Sequence, residues 1–299
     1  MKHKECRDTV RFFLFISPWI IGFLAFIVIP MGMSLYYSFT DWDVLTKEAF
    51  VGLENYAGLF QDPLFYKSLQ VTGVYTLITV PLNVFLSLMV AMLLNMEGRF
   101  MAFFRTLYYI LAVLSGVVVS ILWQWIFNSK YGLLNDILGK FGIEGPRWLS
   151  DPKWVMPALV IMSIWGIGGG IIMYLAGLQA VQKDLYEAAT LEGARFFKKL
   201  VYITLPSMSP IMLFTFLTTM ITTLQTFSQA YIMTSGGPNH ATLFYAYYLY
   251  QNGVVYKKMG KACAMAWLFF LMVMLLSLAV LKVSGKVVYY ESDEGGKLA

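Results

Sequence analysis

Residues 183–206 read KDLYEAATLEGARFFKKLVYITLP, a charged, helix-forming segment between two long apolar runs. Asp184, followed three residues later by Glu187, resembles a capping box and predicts the start of a helix. Gly193 should end that helix after about two turns, and residues 195–201 can form a second one. The two helices would share an apolar face that can pack on another surface. Its members are Leu185, Ala188, Ala189, Phe196 and Leu200.

The composition indicates a membrane protein. Hydrophobic residues make up 59% of the 299 residues, charged residues only 13%, and the mean hydropathy is +0.65. In soluble domains charged residues alone reach roughly a quarter. The net charge is +5, but the basic residues are not interleaved with aromatic ones, so nucleic-acid binding is not favoured. Cys6 and Cys263 have no metal or redox spacing, and no metal or other cofactor is expected.

Long apolar runs predict an all-α protein with six transmembrane helices. These runs are residues 12–39, 71–95, 106–127, 154–180, 208–234 and 262–283. The first run is too long for a signal peptide and should be retained. The predicted organisation is therefore a tail, first span and external loop (1–70), a core (71–282) that contains the loop 181–207, and a disordered tail (283–299).

Lysine and arginine residues near the span ends predict the orientation. They number 13 on the side that holds both termini and the 181–207 loop, and 9 on the other side. Because cytoplasmic loops carry the excess of basic residues, both termini and this loop should be cytoplasmic. The expected location is the bacterial cell membrane. Cys6 and Cys263 would then lie on opposite sides and could not pair.

Apart from Lys282, next to the end of the last run, the predicted spans contain no Asp, Glu, Lys, Arg or His. Ion-coupled transporters usually need such residues inside the membrane, and an intramembrane hydrolase would need a catalytic cluster. The chain also has no Gly-x-x-x-x-Gly-Lys-Ser/Thr loop for ATP. Any transport should therefore be driven from outside the spans, and the chain is not expected to be an enzyme.

Four glycines interrupt the fourth run at Gly166, Gly168, Gly169 and Gly170. They lie in an apolar run with no strand before them, so they do not form a dinucleotide-binding fingerprint. Close helix packing is the favoured interpretation.

The fifth run is unusually polar. Gln225 and Gln229 should stand one turn apart on one helix face, where an amide that faced lipid would be costly. They could tie helices together, or they could bind a hydroxyl-rich solute. Phe227 and Tyr231, also one turn apart, and Trp165 in the fourth run could stack on sugar faces or could simply pack.

The motif in residues 183–206 resembles a known element. Glu187-Ala188-Ala189, Gly193 and Ile203-Thr204-Leu205-Pro206 match the "EAA" loop of ABC-importer permeases, the docking element for the ATPase subunit. The alternative is an ordinary amphipathic loop between spans. Gly177-Leu178-Gln179-Ala180 and Thr234-Ser235-Gly236-Gly237-Pro238 resemble the carbohydrate branch of these type I importers, and the likeness covers residues 50–281.

The resemblance implies partners and residue roles. It implies the type I permease fold, a second homologous permease, a cytoplasmic ATPase dimer and an extracytoplasmic sugar-binding protein. Glu187 would make the polar contact to the ATPase, and Gly193 the turn. The coupling set comprises Glu187, Ala188, Ala189, Glu192, Gly193, Leu205 and Pro206, with Glu192 where Asp is commoner. By the same likeness the sugar contacts fall near residues 165–169 and 224–229, which include Trp165, Gly169, Gln225 and Gln229.

The sequence thus predicts a permease subunit of an ATP-driven sugar importer, with an oligosaccharide as the expected solute. One rival is the same fold importing a polyol, glycerol phosphate or a lipid-linked sugar. Another is a membrane docking, assembly or signalling protein that does not transport. A polar, cavity-lining face on the fifth span would favour transport.

Overall fold

The computed structural model describes residues 2–96 and 98–285, and the side chains of these residues from position 12 onward. The tail predicted to be disordered lies outside this range beyond position 285. The described chain forms two compact units, residues 2–62 with 249–271 and residues 63–248 with 272–285.

The described residues are mostly helical, and each helix label follows chain order. The helices are α1 Lys2–Phe23, α2 Ile29–Tyr37, α3 Glu54–Phe60, α4 Pro63–Leu94, α5 Met101–Val113, α6 Gly116–Ile126, α7 Leu133–Lys140, α8 Val155–Ser163, α9 Gly168–Ala180, α10 Lys183–Leu191, α11 Phe196–Lys199, α12 Leu205–Leu224, α13 Tyr245–Tyr250 and α14 Met259–Ser284. Strands β1 Thr40–Asp41 and β2 Ala49–Phe50 pair antiparallel. Short π-helical turns cover Leu24–Val28, Leu200–Thr204, Ala230–Thr234 and Gln251–Val255, and a 3₁₀ turn covers Ile164–Ile167.

Within residues 2–96 and 98–285, five continuous helical stretches are long and apolar enough to cross a membrane. They are Phe12–Tyr37, Pro63–Leu94, Val155–Ala180, Phe196–Leu224 and Met259–Ser284. Each overlaps a predicted span, so the prediction of an all-helical membrane protein is confirmed. The helices extend beyond the predicted ranges at several ends, where they include the lysines Lys67, Lys198, Lys199 and Lys261.

The third predicted span is not one straight helix. It consists of α5 and α6, which meet at a bend of 101°. Each is too short to cross the ~30 Å apolar core alone, so the sixth span exists only if the pair counts as one. The break has a local cause. Leu114 is extended, with ψ 134°, and the Ser115 hydroxyl caps α6 by accepting from the Val117 N–H at 3.3 Å.

The fifth predicted span also breaks. Helix α12 ends at Leu224, residues 226 and 227 are not helical, and helix resumes at position 228. The prediction that Gln225 and Gln229 share a helix face is therefore wrong. Threonine hydroxyls in this run bond back to the preceding turn, as Thr226 does to the Thr223 carbonyl at 2.7 Å, and such bonds compete with the helix ladder.

Helices α4, α9 and α12 form the core of the larger unit. Their buried contact cluster includes Leu88, Ala91, Leu94, Ile171, Tyr174, Leu178 and Met208. Glycines permit the close approach of α9 to α5 and to α4. A Cβ atom on Gly168 would lie 2.5 Å from the Tyr108 carbonyl oxygen, and one on Gly170 would lie 2.7 Å from the Ser87 hydroxyl. The packing role is confirmed for these two, whereas a Cβ on Gly166 or Gly169 would meet nothing within 4 Å.

The smaller unit is held by polar contacts between its N-terminal and C-terminal parts. The Gly260 N–H donates to the Trp42 carbonyl at 3.1 Å. Lys261 forms an ion pair with Asp62 at 2.7 Å. These bonds tie the loop after the first helical stretch to the start of α14.

Candidate functional site

The segment 181–207, here called the coupling segment, begins with α10. The residue that caps this helix is Gln182, with φ −60° and ψ 126°, and its side chain makes no capping bond. The predicted capping box is therefore wrong. Asp184 instead lies in the first turn, where its negative charge is favourable beside the helix N-terminus.

Gly193 makes the turn at the end of α10, as predicted. Its φ is +77°, a left-handed conformation that favours glycine. The Gly193 N–H donates to the Thr190 carbonyl at 3.0 Å, and the Ala194 N–H donates to the Ala189 carbonyl at 2.9 Å. These two bonds are the paired contacts of a Schellman motif, which satisfy carbonyls left free at the helix end.

The second predicted helix is not separate. Helix α11 continues through the π-helical turn Leu200–Thr204 into α12, so that one helical stretch runs from Phe196 to Leu224. The predicted second helix after Gly193 is therefore confirmed, but it does not end near position 201. Leu205 and Pro206 follow directly on this π-helical turn, where α12 begins, and Pro206 removes one N–H from the continuous helix.

The outward face of α10 is exposed and chemically mixed. No residue of α10 is buried, and Glu187 and Ala188 are exposed beside Leu191, which is 90% exposed. Phe196 and Phe197, just past the turn, are exposed as well. Glu187 makes no ion pair within the described chain. An exposed apolar patch with a free carboxylate is typical of a protein-binding surface.

A second feature of the larger unit is a cavity of about 450 Å³. It lies among α4, the α5–α6 bend, the 3₁₀ turn that precedes α9, and α12. The cavity-facing residues of α12 and its extension are Thr215, Thr218, Thr219, Thr222, Thr223, Thr226 and Gln229. None of the described residues that line the cavity carries a charge.

The predicted solute-contact residues divide into two groups. Trp165, Gly169 and Gln229 line the cavity, and Gln225, Phe227 and Tyr231 do not. Gln225 is exposed at the end of α12. Phe227 and Tyr231 stand one turn apart and stack, with ring centroids 5.4 Å apart and an interplanar angle of 12°.

Sequence reasoning missed the cavity wall that α4 provides. Tyr75, Thr79, Asn83 and Ser87 all line the cavity. Their spacing of four residues puts them on one face of α4, so a count of polar residues along this apolar run could have found them. The Ser87 hydroxyl donates to the Ile167 carbonyl at 3.3 Å, and Asn83 accepts from the Ser163 hydroxyl at 3.3 Å.

The cavity offers hydrogen bonds and aromatic surface without charge. The indole N–H of Trp165 is buried and has no acceptor among the described residues. Trp165 packs edge-on against Trp123, with centroids 5.9 Å apart and an interplanar angle of 90°. A lining of hydroxyls, amides and an indole suits a polar, uncharged molecule.

Comparison with known proteins decides the family. Residues 74–287 match the family described as "binding-protein-dependent transport system inner membrane component". The chain belongs to this family. As such a transport component it is a multi-pass protein of the cell membrane, and the family and location predicted from the coupling segment and the apolar runs are confirmed.

Curated relatives of this permease are similar along nearly their whole length. The chain is 39% identical over 293 residues to "Probable ABC transporter permease protein YesP" of Bacillus subtilis, covering 96% of this chain and 94% of the relative. It is 33% identical over 278 residues to "Arabinooligosaccharides transport system permease protein AraP" of the same organism, covering 91% and 88%.

A solved structure confirms the type I permease fold. A chain of a bacterial ABC transporter involved in the import of the acidic polysaccharide alginate superposes on this permease with a TM-score of 0.85. The match covers 95% of this chain and 98% of that one, at 22% sequence identity. At that identity the likeness concerns the fold alone.

Proposed function

We propose that this permease forms half of the translocation pathway of an ATP-driven importer for an uncharged oligosaccharide, with residues 71–282 as its core. The cavity carries the proposal, because it is polar and contains no charged side chain among its described residues. Sugars offer many hydroxyl groups and apolar ring faces, and the cavity offers hydroxyls, amides and an indole. The arabinooligosaccharide relative supports a carbohydrate solute.

Trp165, Gly169 and Gln229 are the predicted contact residues that this proposal places against the solute. Gln225, Phe227 and Tyr231 would act outside the cavity, where the stacked pair Phe227 and Tyr231 could receive a sugar ring before it enters. A tightly packed fifth span would have favoured a docking or assembly protein without transport. The threonine-rich face of α12 along the cavity supports transport instead.

The coupling segment is the proposed contact with the ATPase. Glu187, Ala188, Ala189 and Glu192 would meet the ATPase from the exposed side of α10, with Gly193 as the turn. Leu205 and Pro206 would connect that contact to the base of α12. In this arrangement ATP hydrolysis is catalysed by an ATPase dimer, the solute is delivered by an extracytoplasmic binding protein, and a second homologous permease completes the pathway.

Uptake of labelled solutes tests the proposal. Cells that carry the full importer should accumulate a labelled neutral oligosaccharide, such as arabinotriose or maltotriose, and a non-hydrolysing ATPase variant should abolish this uptake. Glycerol and glycerol 3-phosphate serve as comparison solutes in the same cells. Uptake of these alone would assign the permease to a different solute class, and no ATP-dependent uptake of any of them would contradict transport.

Cysteine labelling tests the proposed orientation. Cys6 should react only with reagents that reach the cytoplasm, and a cysteine introduced by Asn239→Cys only with impermeant external reagents. The physical reason is the excess of basic residues on the side of both termini. Labelling of both positions from the same side would contradict the six-span arrangement.

A further inference from the structure

Two side-chain hydrogen bonds join α10 to the helix that becomes the cavity wall. The Tyr186 hydroxyl lies 2.9 Å from the Thr204 hydroxyl, and the Lys199 ammonium donates to the Thr190 hydroxyl at 2.6 Å. Tyr186 and Thr190 are four residues apart and therefore share the inward face of α10. Both bonds cross the Gly193 turn.

The hydroxyl groups of Tyr186, Thr190 and Thr204 fit one consistent set of donors and acceptors. The Thr204 hydroxyl donates to the Lys199 carbonyl at 3.3 Å, so the Tyr186 hydroxyl donates to Thr204. The Thr190 hydroxyl donates to the Tyr186 carbonyl at 2.6 Å and accepts from Lys199. Every donor in the network thus has one acceptor, and both cross-links converge on Tyr186.

These bonds matter because apolar packing does not hold α10 in place. None of its residues is buried, and it is only nine residues long. The Gly193 turn sets where the chain reverses, and two residues join the other end of α10 to α9. Hydrogen bonds from its inward face to a fixed point therefore help to set the orientation of α10.

Thr204 is such a fixed point. It is only 6% exposed, and it ends the π-helical turn Leu200–Thr204 at the base of α12. From there the helix is continuous to Leu224 and carries cavity-lining threonines such as Thr215 and Thr222. The Tyr186–Thr204 bond thus links the exposed docking helix to the wall of the cavity.

We propose that Tyr186 and Thr204 are positioning residues that transmit the displacement of α10 to α12. The inference rests on the proposed function, in which an ATPase moves α10. A bound ATPase pulls on the outward face of α10, and the inward hydrogen bond makes α12 follow. Without that bond, α10 can move on the Gly193 turn while the cavity wall stays where it is.

The test measures the response of the cavity to nucleotide. Thr222→Cys is introduced into a Cys6→Ser, Cys263→Ser background, and the assembled importer is placed in lipid nanodiscs. The rate of maleimide labelling is compared with and without ATP plus vanadate. In this reference protein the nucleotide should change the rate. Retention of the ATPase and its hydrolysis rate are measured on the same samples.

Tyr186→Phe and Thr204→Val each remove one side of the bond. We expect the nucleotide-dependent change in labelling to fall by roughly two- to tenfold, the range for loss of one hydrogen bond, while the ATPase stays bound and active. The double variant should add little to either single one, because the two residues act through one bond. Thr204→Ser, which keeps the hydroxyl, should restore the response.

Tyr202→Phe is the matched control, because it removes a hydroxyl from a nearby tyrosine that is 78% exposed. It should respond like the reference. A full response in both Tyr186→Phe and Thr204→Val would overturn the inference. Loss of ATPase binding in these variants would also overturn it, because the bond would then be needed for binding the ATPase and not for transmitting its movement. An absent response in the reference protein would instead overturn the proposed function, and this inference with it.

Discussion

The coupling segment and the cavity are built in opposite ways. The coupling segment is contiguous in sequence, exposed, and held by bonds between residues close together in the chain, such as the Gly193 and Ala194 turn bonds. The cavity wall combines residues as far apart as Tyr75 and Gln229. A local motif can determine the coupling segment. The cavity depends on where several helices break and on which of their faces point toward it.

Glycine shows the same contrast. Gly193 is required by backbone conformation, since its φ is +77° and nothing lies within 4 Å of a Cβ placed on it. Gly168 is required by space, since a Cβ there would lie 2.5 Å from the Tyr108 carbonyl oxygen. One residue type therefore serves a turn in the coupling segment and a close helix approach behind the cavity.

Gly193→Pro should have the largest effect and should abolish uptake. Proline fixes φ near −65° and has no N–H, so it can neither adopt the turn nor donate to the Thr190 carbonyl. Uptake of labelled oligosaccharide is the measurement. Gly142→Pro is the control, since Gly142 has φ +74° and its N–H donates to the Gly139 carbonyl at 3.0 Å outside the coupling segment. Equal uptake in the two variants would show that the glycine turn of the coupling segment is no more important for transport than the turn at Gly142.

Glu187→Lys should weaken ATPase binding by about 2–5 kcal/mol, the range for disrupting a buried interfacial charge pair. The permease itself should keep its thermal stability, because Glu187 is exposed and makes no ion pair within the described chain. Co-purification of the ATPase with the permease measures the loss. Exposed Glu144 provides the control through Glu144→Lys, which should retain the ATPase fully. Normal retention in Glu187→Lys would show that this carboxylate is not part of the contact.

Gln229→Ala and Gln225→Ala should differ in their effect on solute uptake. Gln229 lines the cavity and Gln225 does not, so only Gln229→Ala should raise the KM for uptake, by roughly five- to a hundredfold if a partner is left unsatisfied at a cost of about 1–3 kcal/mol. Expression and ATPase retention should be unchanged in both. An effect confined to Gln225→Ala would move the solute path out of the cavity.

Gly168→Ala and Gly169→Ala should differ in their effect on stability, because Gly168 packs against a neighbouring helix and Gly169 lines the cavity. The first should destabilise the folded permease by about 1–3 kcal/mol, because its Cβ would overlap the Tyr108 backbone. The second should leave stability nearly unchanged, because its Cβ points into open space at the cavity. Thermal unfolding in detergent measures both. Similar unfolding temperatures for the two variants would contradict this assignment of the glycine faces.

The sequence by itself determined the membrane class, the approximate position of five spans, the Gly193 turn and the family. Each of these is a property of contiguous residues. Long apolar runs must be helical in lipid, because every backbone polar group has to be satisfied within the segment. The reversal at Gly193 follows from the conformational freedom of one residue between two helix-forming stretches.

Three features could be recognised only in the folded chain: the bend between α5 and α6, the end of α12 before Gln225, and the polar stripe from Tyr75 to Ser87 as a cavity wall. The fold also separated Gly168, which meets a neighbouring helix and does not line the cavity, from Gly169, which lines it. These features depend on the rotation of each helix about its own axis. A break of two or three residues turns every later side chain to a new direction, and which direction faces a neighbour depends on helices distant in the sequence.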